Sequence, residues 1–238
     1  VITNGYYTDN ELKNEFSVGR EFILTSDIDM SGIEFTPIGR LALEFGFRGT
    51  FDGGNHTISN LTASDFTPEN AAAGLFGKLY GNVKNLILKD VNIKSSHWAG
   101  GIAGYVGDET GAIIENCKVI GGTVTSIPEQ IGSKWDNGDK AGGIIGYGCI
   151  GADKVQNCSV ENITITCYRH GGAIVGYANT VNNVTGNAAK DVVIKWDNSH
   201  DYKNFGATSV GQDIFGCIVG NNPNFTGDNT ATNVEIPE

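Results

Sequence analysis

Lys78 lies in the stretch GLFGKLYG (74–81), where three glycines surround an amine in the manner of a phosphate-cradling loop. Such a loop needs backbone N–H groups at a helix N-terminus and a Ser or Thr directly after the lysine. Here Leu79 follows, and the next segment, NVKNLILKDVNIK (82–94), reads as strand. Phosphate binding is therefore excluded, and Lys78 is expected to be a solvated side chain. The acids offer no clearer chemistry. DIDMSG (27–32) opens like a calcium loop, but Ile38 occupies the twelfth position, where a bidentate Glu is required. The four arginines (20, 40, 48, 169) are scattered, there is no adjacent Asp pair, and HExxH and GxSxG are both absent. His97, His170 and His200 lack the spacing of a ligand set. No catalytic residue, metal or cofactor is expected.

A better-defined set lies just before the glycine-rich segments. SSHW (95–98), SKWDNGDK (133–140), CYRH (167–170) and KWDNSHDYKN (195–204) hold all three tryptophans and three of the four histidines. Aromatic rings beside Asp and Asn suit sugars: a ring face takes apolar C–H groups while the polar side chains bond hydroxyls. The candidate ligand-binding residues are Trp98, Trp135, Asp136, Asn137, Tyr168, His170, Trp196, Asp197 and Asn198, expected along one edge. The alternative is that these rings only cover strand edges and pin the long insertions.

The elements that must position these residues come from a repeat. One motif recurs as AGLFG (73–77), GGIAG (100–104), GGIIG (142–146), GAIVG (172–176) and GCIVG (216–220). A second follows it as VKNLIL, IENCKV, VQNCSV, VNNVTG and ATNVEI, with ISNLTA (58–63) as an earlier copy. Its shared asparagines are Asn60, Asn85, Asn116, Asn157, Asn183 and Asn233, at spacings of 25, 31, 41, 26 and 50 residues. Asn tolerates left-handed backbone, so the six are expected to form a structural column at one corner of stacked coils. Apolar residues alternate after each Asn, as in Leu86, Leu88, Val91, Ile93 and in Cys158, Val160, Ile163, Ile165, which is a strand period. No single repeat can bury its apolar face, so neighbours must stack. The fold class expected is all-β: a single-stranded parallel β-helix, right-handed because parallel crossovers are, with six or so coils at about 4.8 Å each. The glycines should lie where coils approach too closely for a side chain.

Thr8 with Glu11 three residues on marks a capping box, and Leu12 and Phe16 share a face, so a short helix over 8–16 is expected to cap the first coil. The domain boundaries read are 1–20 for this capping segment and 21–238 for the repeats. The C-terminus carries no obvious cap, which suggests a piece of a longer chain. A net charge of −11 argues against nucleic acid and anionic lipid as partners, and no segment approaches a membrane span. The five cysteines (117, 149, 158, 167, 217) form no CxxC and read as buried free thiols.

The order LTSDIDMSG…FTPIG…FRGTFDGGNHTISNL followed by GLFGKLYGNVKNLILKDV resembles the GLUG-motif repeat proteins of bacterial surfaces. These occur in large exported proteins of gut Bacteroidetes and in some IgA-peptidase-type proteins. The similarity runs from about residue 21 to 236 and is strongest over 22–95. The resemblance implies a right-handed β-helix, an exported, cell-surface or extracellular location, and adhesion or binding of a host glycan or extracellular protein. It implies no catalytic residues. A polysaccharide lyase or hydrolase on the same scaffold, and a passive spacer, are the alternatives; oligomeric state is left open.

Overall fold

The computed structural model describes residues 17–40, 46–67, 71–107, 111–127, 140–197 and 215–237. These residues are all-β, with strands paired in parallel, no α-helix and one 3-10 turn, Val181–Asn183. The helix expected over 8–16, Trp135, Asp136, Asn137, Asn198 and His200 lie outside the described residues.

The strands form four sheets of six, nine, five and four strands. The chain visits them in a fixed order. Asn82–Lys84 joins the six-stranded sheet, Ile87–Ser95 the nine-stranded, Trp98–Gly100 the five-stranded and Ala103–Val106 the four-stranded. The next round repeats the sequence with Ile113–Glu115, Lys118–Ser126, Lys140–Gly142 and Ile145–Gly148, each pairing in parallel with its predecessor. Like residues therefore stack. Phe22, Phe51, Val83, Ile114, Val155 and Val184 make one inward column, and Ile93, Val124, Ile165 and Ile194 another. These columns belong to one apolar core that runs from Phe47 to Val219. Leu86, Leu88, Val91, Ile93 and Cys158, Val160, Ile163, Ile165 are all buried, as their alternation requires.

The glycine motifs are places of close approach. A Cβ built on Gly104 would lie 2.6 Å from Ala73 N and 2.7 Å from Trp98 O, both backbone atoms of neighbouring strands. Only hydrogen fits there. Asparagine serves the corners, but in two columns instead of the one expected. Asn85, Asn116 and Asn157 have φ near +53° and follow strands of the six-stranded sheet; the pairing puts Gly186 (φ +64°) next in that column. Asn60 and Asn233 belong to a second corner, within the nine-stranded sheet, stacked with Asp90, Gly121, Asn162 and Asp191. Asn183 is in neither column: it lies in the 3-10 turn, where its amide donates to the carbonyls of Gly151 and Asp153. The second corner left a trace in the sequence. Leu88 and Val91, like Val160 and Ile163, both point inward at a spacing of three, because the left-handed residue between them shifts the strand's phase.

None of the five cysteines is in a disulfide; Cys117, Cys149, Cys158 and Cys167 are buried and Cys217 is half-buried. Cys117 and Cys158 head a column continued by two residues that the motif search passed over, Asn187 and Asn229. The Cys117 thiol faces the Val83 carbonyl at 3.8 Å and the Cys158 thiol that of Ile114 at 3.7 Å. Asn187 Nδ2 donates to the Val155 carbonyl at 3.0 Å, and Asn229 Nδ2 to that of Val184 at 2.8 Å. Each side chain serves the equivalent carbonyl one round below, weakly from sulfur and strongly from an amide.

Candidate functional site

The four-stranded sheet carries the most organised group of functional side chains. Tyr105, Tyr147 and Tyr177 stand in one register column, one per round, because each occupies the position after the last glycine of its motif. All three are half-buried, and successive ring centroids are 5.5 Å apart. The five-stranded sheet next to them contributes a parallel column of Trp98, Lys140 and His170. The two columns interlock. The Trp98 indole stacks on Tyr147 at 5.5 Å and 30° and lies 4.9 Å from Tyr105. His170 meets Tyr177 edge-on at 5.0 Å. Lys140 Nζ is 5.1 Å from the centre of the Tyr147 ring and 5.4 Å from that of Tyr177, within cation–π range. At the other end Tyr80 meets Tyr105 edge-on at 6.1 Å and carries Arg48 over its face at 4.6 Å.

Ring faces in this group are occupied by other rings and by cations. A half-buried tyrosine keeps its apolar body against its neighbours and its hydroxyl at the wet end. The exposed part of this group is thus supplied by the half-buried tyrosines, one per round, and not by the Trp98 indole. Trp98 is only 9% exposed, and its Nε1 is buried with no hydrogen-bond partner among the described residues. His170 Nδ1 is in the same situation. Burial, with the nearby charges of Lys140 and Arg169, pushes His170 down to about 3, so its imidazole is neutral at physiological pH.

The other expected site residues divide. Tyr168 is half-buried in the turn before the strand His170–Gly172. Trp196 is 45% exposed at the end of the strand Ala188–Trp196, in register with Cys167 on the nine-stranded sheet, and Asp197 follows it. Trp98 and Trp196 therefore stand in different columns on different sheets. The similar words around them differ by where the chain turns the corner, which local sequence does not display. Tyr105, Tyr147, Tyr177 and Lys140 were missed as site residues. Their signal was the recurrence of Tyr directly after the glycine motif.

Lys78 begins the tyrosine column, in register with Tyr105. It is buried, 1% exposed, contrary to the solvated position expected. Its ammonium donates to the Arg40 carbonyl at 3.0 Å, and burial lowers its pKa against the pull of the nearby Asp65 carboxylate. That carboxylate accepts the Ala72 and Thr67 N–H groups and lies 3.5 Å from Arg40 Nε. Arg40, 38 positions earlier, and Asp65, 13 positions earlier, thus stand against the amine. Asp29, one of the acids of the calcium-like segment, is occupied by Ser31 and Asn60. No group of three His, Cys, Asp or Glu among the described residues could hold a metal, and none of the described helices is long and apolar enough to cross a membrane.

No family model matches the chain, so the GLUG resemblance rests on its motifs alone. No curated protein matches it either. A similar solved structure is the 1.30 Å crystal structure of a Bacteroides ovatus protein provisionally named as an immunoglobulin A1 protease. It shares 18% identity at a TM-score of 0.40, over 95% of this chain and 81% of that one. At that level the protease name belongs to the neighbour alone.

Proposed function

We propose that this chain is a non-catalytic binding module of an exported bacterial surface protein, wound as a right-handed parallel β-helix, which takes a glycan or other extracellular ligand. The observation that carries this reading is the stripe of Tyr105, Tyr147 and Tyr177, half-buried at 5.5 Å intervals and flanked by Lys140. A purely structural stack would gain most by burying the position after each glycine motif. Here the chain keeps a polar-tipped aromatic there in three successive rounds. Parallel stacking supports the β-helix, and the right hand follows from the rule for parallel crossovers.

Burial of Trp98 favours a second reading, a passive spacer in which the rings serve only to join two sheets. A glycan and matrix-protein array with wild type and Tyr147→Ala separates the two. Ligand capture by the wild type that drops in the variant supports the binding module. An array on which the folded wild type captures nothing leaves the spacer.

A further inference from the structure

The outer face of the nine-stranded sheet carries a polar lane. In the four long strands Ile87–Ser95, Lys118–Ser126, Ser159–Cys167 and Ala188–Trp196, the residues Ile93, Val124, Ile165 and Ile194 are buried, so their neighbours on either side face outward. Register aligns these outward residues. One column runs Thr62, Asn92, Thr123, Thr164, Val193, and the next runs Ser64, Lys94, Thr125, Thr166, Lys195. Rounds lie about 4.8 Å apart, so Lys94 and Lys195, three rounds apart, are separated by about 14 Å of threonine-lined surface. Both lysines are exposed, and neither has a hydrogen bond or ion pair among the described residues. Thr123 Oγ1 donates to Asn92 Oδ1 at 3.3 Å, which links the two rounds of the floor, and β-branching holds the threonines in few rotamers. Acids outnumber cations 27 to 16 in the chain, yet these two columns hold two lysines and no acid from Thr62 to Lys195. Glu34 precedes Thr62 in register and Glu235 follows Val193, so acids close both ends. The corner beside the lane carries Asp90 and Asp191, the second already accepting the Asn233 amide at 2.8 Å. Beyond that corner stand Lys89 and Lys190, with Ile120 and Glu161 between them.

We infer that this lane binds a short stretch of acidic linear polysaccharide running along the stacking direction, with its hydroxyls on Thr123, Thr125, Thr164 and Thr166 and its anionic groups at Lys94 and Lys195. The lane lies on a different sheet from the tyrosines, so the inference goes beyond the stripe and does not depend on it. The spacing between rounds is comparable to one sugar of an extended chain, so each round can meet one sugar. A globular protein ligand would need an apolar centre, and the lane offers only Val193. The acids at both ends and the net charge of −11 disfavour a long polyanion such as nucleic acid. A neutral glycan would not need the lysines.

The test is a titration of the wild type, Lys94→Gln/Lys195→Gln and Tyr147→Ala with uronic-acid oligomers of increasing length, and with the same oligomers after carboxyl reduction. Wild-type affinity should rise with length until the chain spans both lysines, at about four units, and then level off. The double lysine variant should bind the long oligomers about three- to twentyfold more weakly, as the wild type binds the reduced ones, and added salt should close the gap. Thr125→Val/Thr166→Val keeps the shape of the floor and removes two hydroxyls, so it should weaken the acidic and the reduced series alike, by about three- to tenfold. All four positions are outward-facing, and an unchanged Tm checks that the variants fold. Equal affinity of the wild type and the double lysine variant for long oligomers at low salt overturns the lane. Binding that is lost in Tyr147→Ala and kept in the lysine variant also overturns it, and leaves the tyrosine stripe as the binding surface. Binding that is lost in the lysine variant and kept in Tyr147→Ala supports the lane and sets the stripe aside. Failure to bind any acidic oligomer overturns the inference, whatever other ligand the stripe captures.

Discussion

Replacing Asn187 by Ala tests the claim that a buried amide column holds the last rounds together. Asn187 is 1% exposed. Its Oδ1 accepts the Cys158 N–H at 2.9 Å, and its Nδ2 donates to the Val155 carbonyl at 3.0 Å and to Asn229 Oδ1 at 2.9 Å. Truncation leaves the Cys158 N–H buried without a partner; the Val155 carbonyl loses its side-chain donor but keeps its place in the parallel ladder with Val184–Thr185, and Asn229 Oδ1 keeps the Asn187 backbone N–H at 2.9 Å. An orphaned buried group costs about 1–3 kcal/mol, so Asn187→Ala should destabilise by about 1–3 kcal/mol. That is an appreciable part of the roughly 5–15 kcal/mol typical of a folded domain. The assay is urea unfolding followed by intrinsic fluorescence, with amide exchange at Cys158 as a local readout. Asn187→Cys should recover part of the loss: a thiol can serve the Val155 carbonyl, as Cys158 serves Ile114, but cannot replace Oδ1 as the acceptor of the Cys158 N–H. A loss below about 1 kcal/mol for Asn187→Ala, with unchanged protection of the Cys158 amide, would refute the assignment.

Three further outcomes are expected. Gly104→Ala puts a methyl within 2.6 Å of Ala73 N and 2.8 Å of Ala72 C; overpacking against backbone should cost about 1–3 kcal/mol, and an unchanged urea midpoint would contradict it. His170, pushed down to about 3 from its ordinary 6.5, stays neutral in the folded protein where the unfolded chain takes up a proton. Its contribution to stability is thus present above pH 6.5 and is lost as pH falls toward about 3. Its imidazole resonances should not titrate between pH 8 and pH 4, and His170→Gln should flatten the acid limb of Tm against pH. Lys78 has its pKa lowered from 10.5 by burial, so the unfolded chain binds its proton more tightly. Stability should therefore rise with pH from the lowered value up to 10.5, and Lys78→Met should abolish that rise; a rise of equal size in the variant would exclude Lys78 as its source.

The repeat itself was legible. Five copies of a glycine motif and a period-two apolar pattern require strands that stack, because no copy has enough apolar surface to stand alone. The buried set from Leu86 to Ile93, and its sister from Cys158 to Ile165, could be read without coordinates. Even the second corner was present, as a spacing of three between Leu88 and Val91. The chemistry of the glycines was legible too, since a motif whose flanks vary while its glycines recur points to a steric limit and not to a ligand.

What sequence left undecided is which residue lies over which. Insertions before Lys140 and Phe215 change the spacing of the copies without changing the register of the strands, so words that look alike, such as those holding Trp98 and Trp196, end on different sheets. The asparagines divide into two columns because each round has two corners with left-handed backbone and Asn occurs at both. Lys78 is buried because Arg40, from the preceding round, and Asp65, from its own, enclose it. The tyrosine stripe exists only after stacking, because a column at 5.5 Å is made of residues 30 to 42 positions apart. Local period fixes the strand and its inward face. Register between rounds, set by hydrogen bonds across the stack and by the lengths of the insertions, fixes the surface.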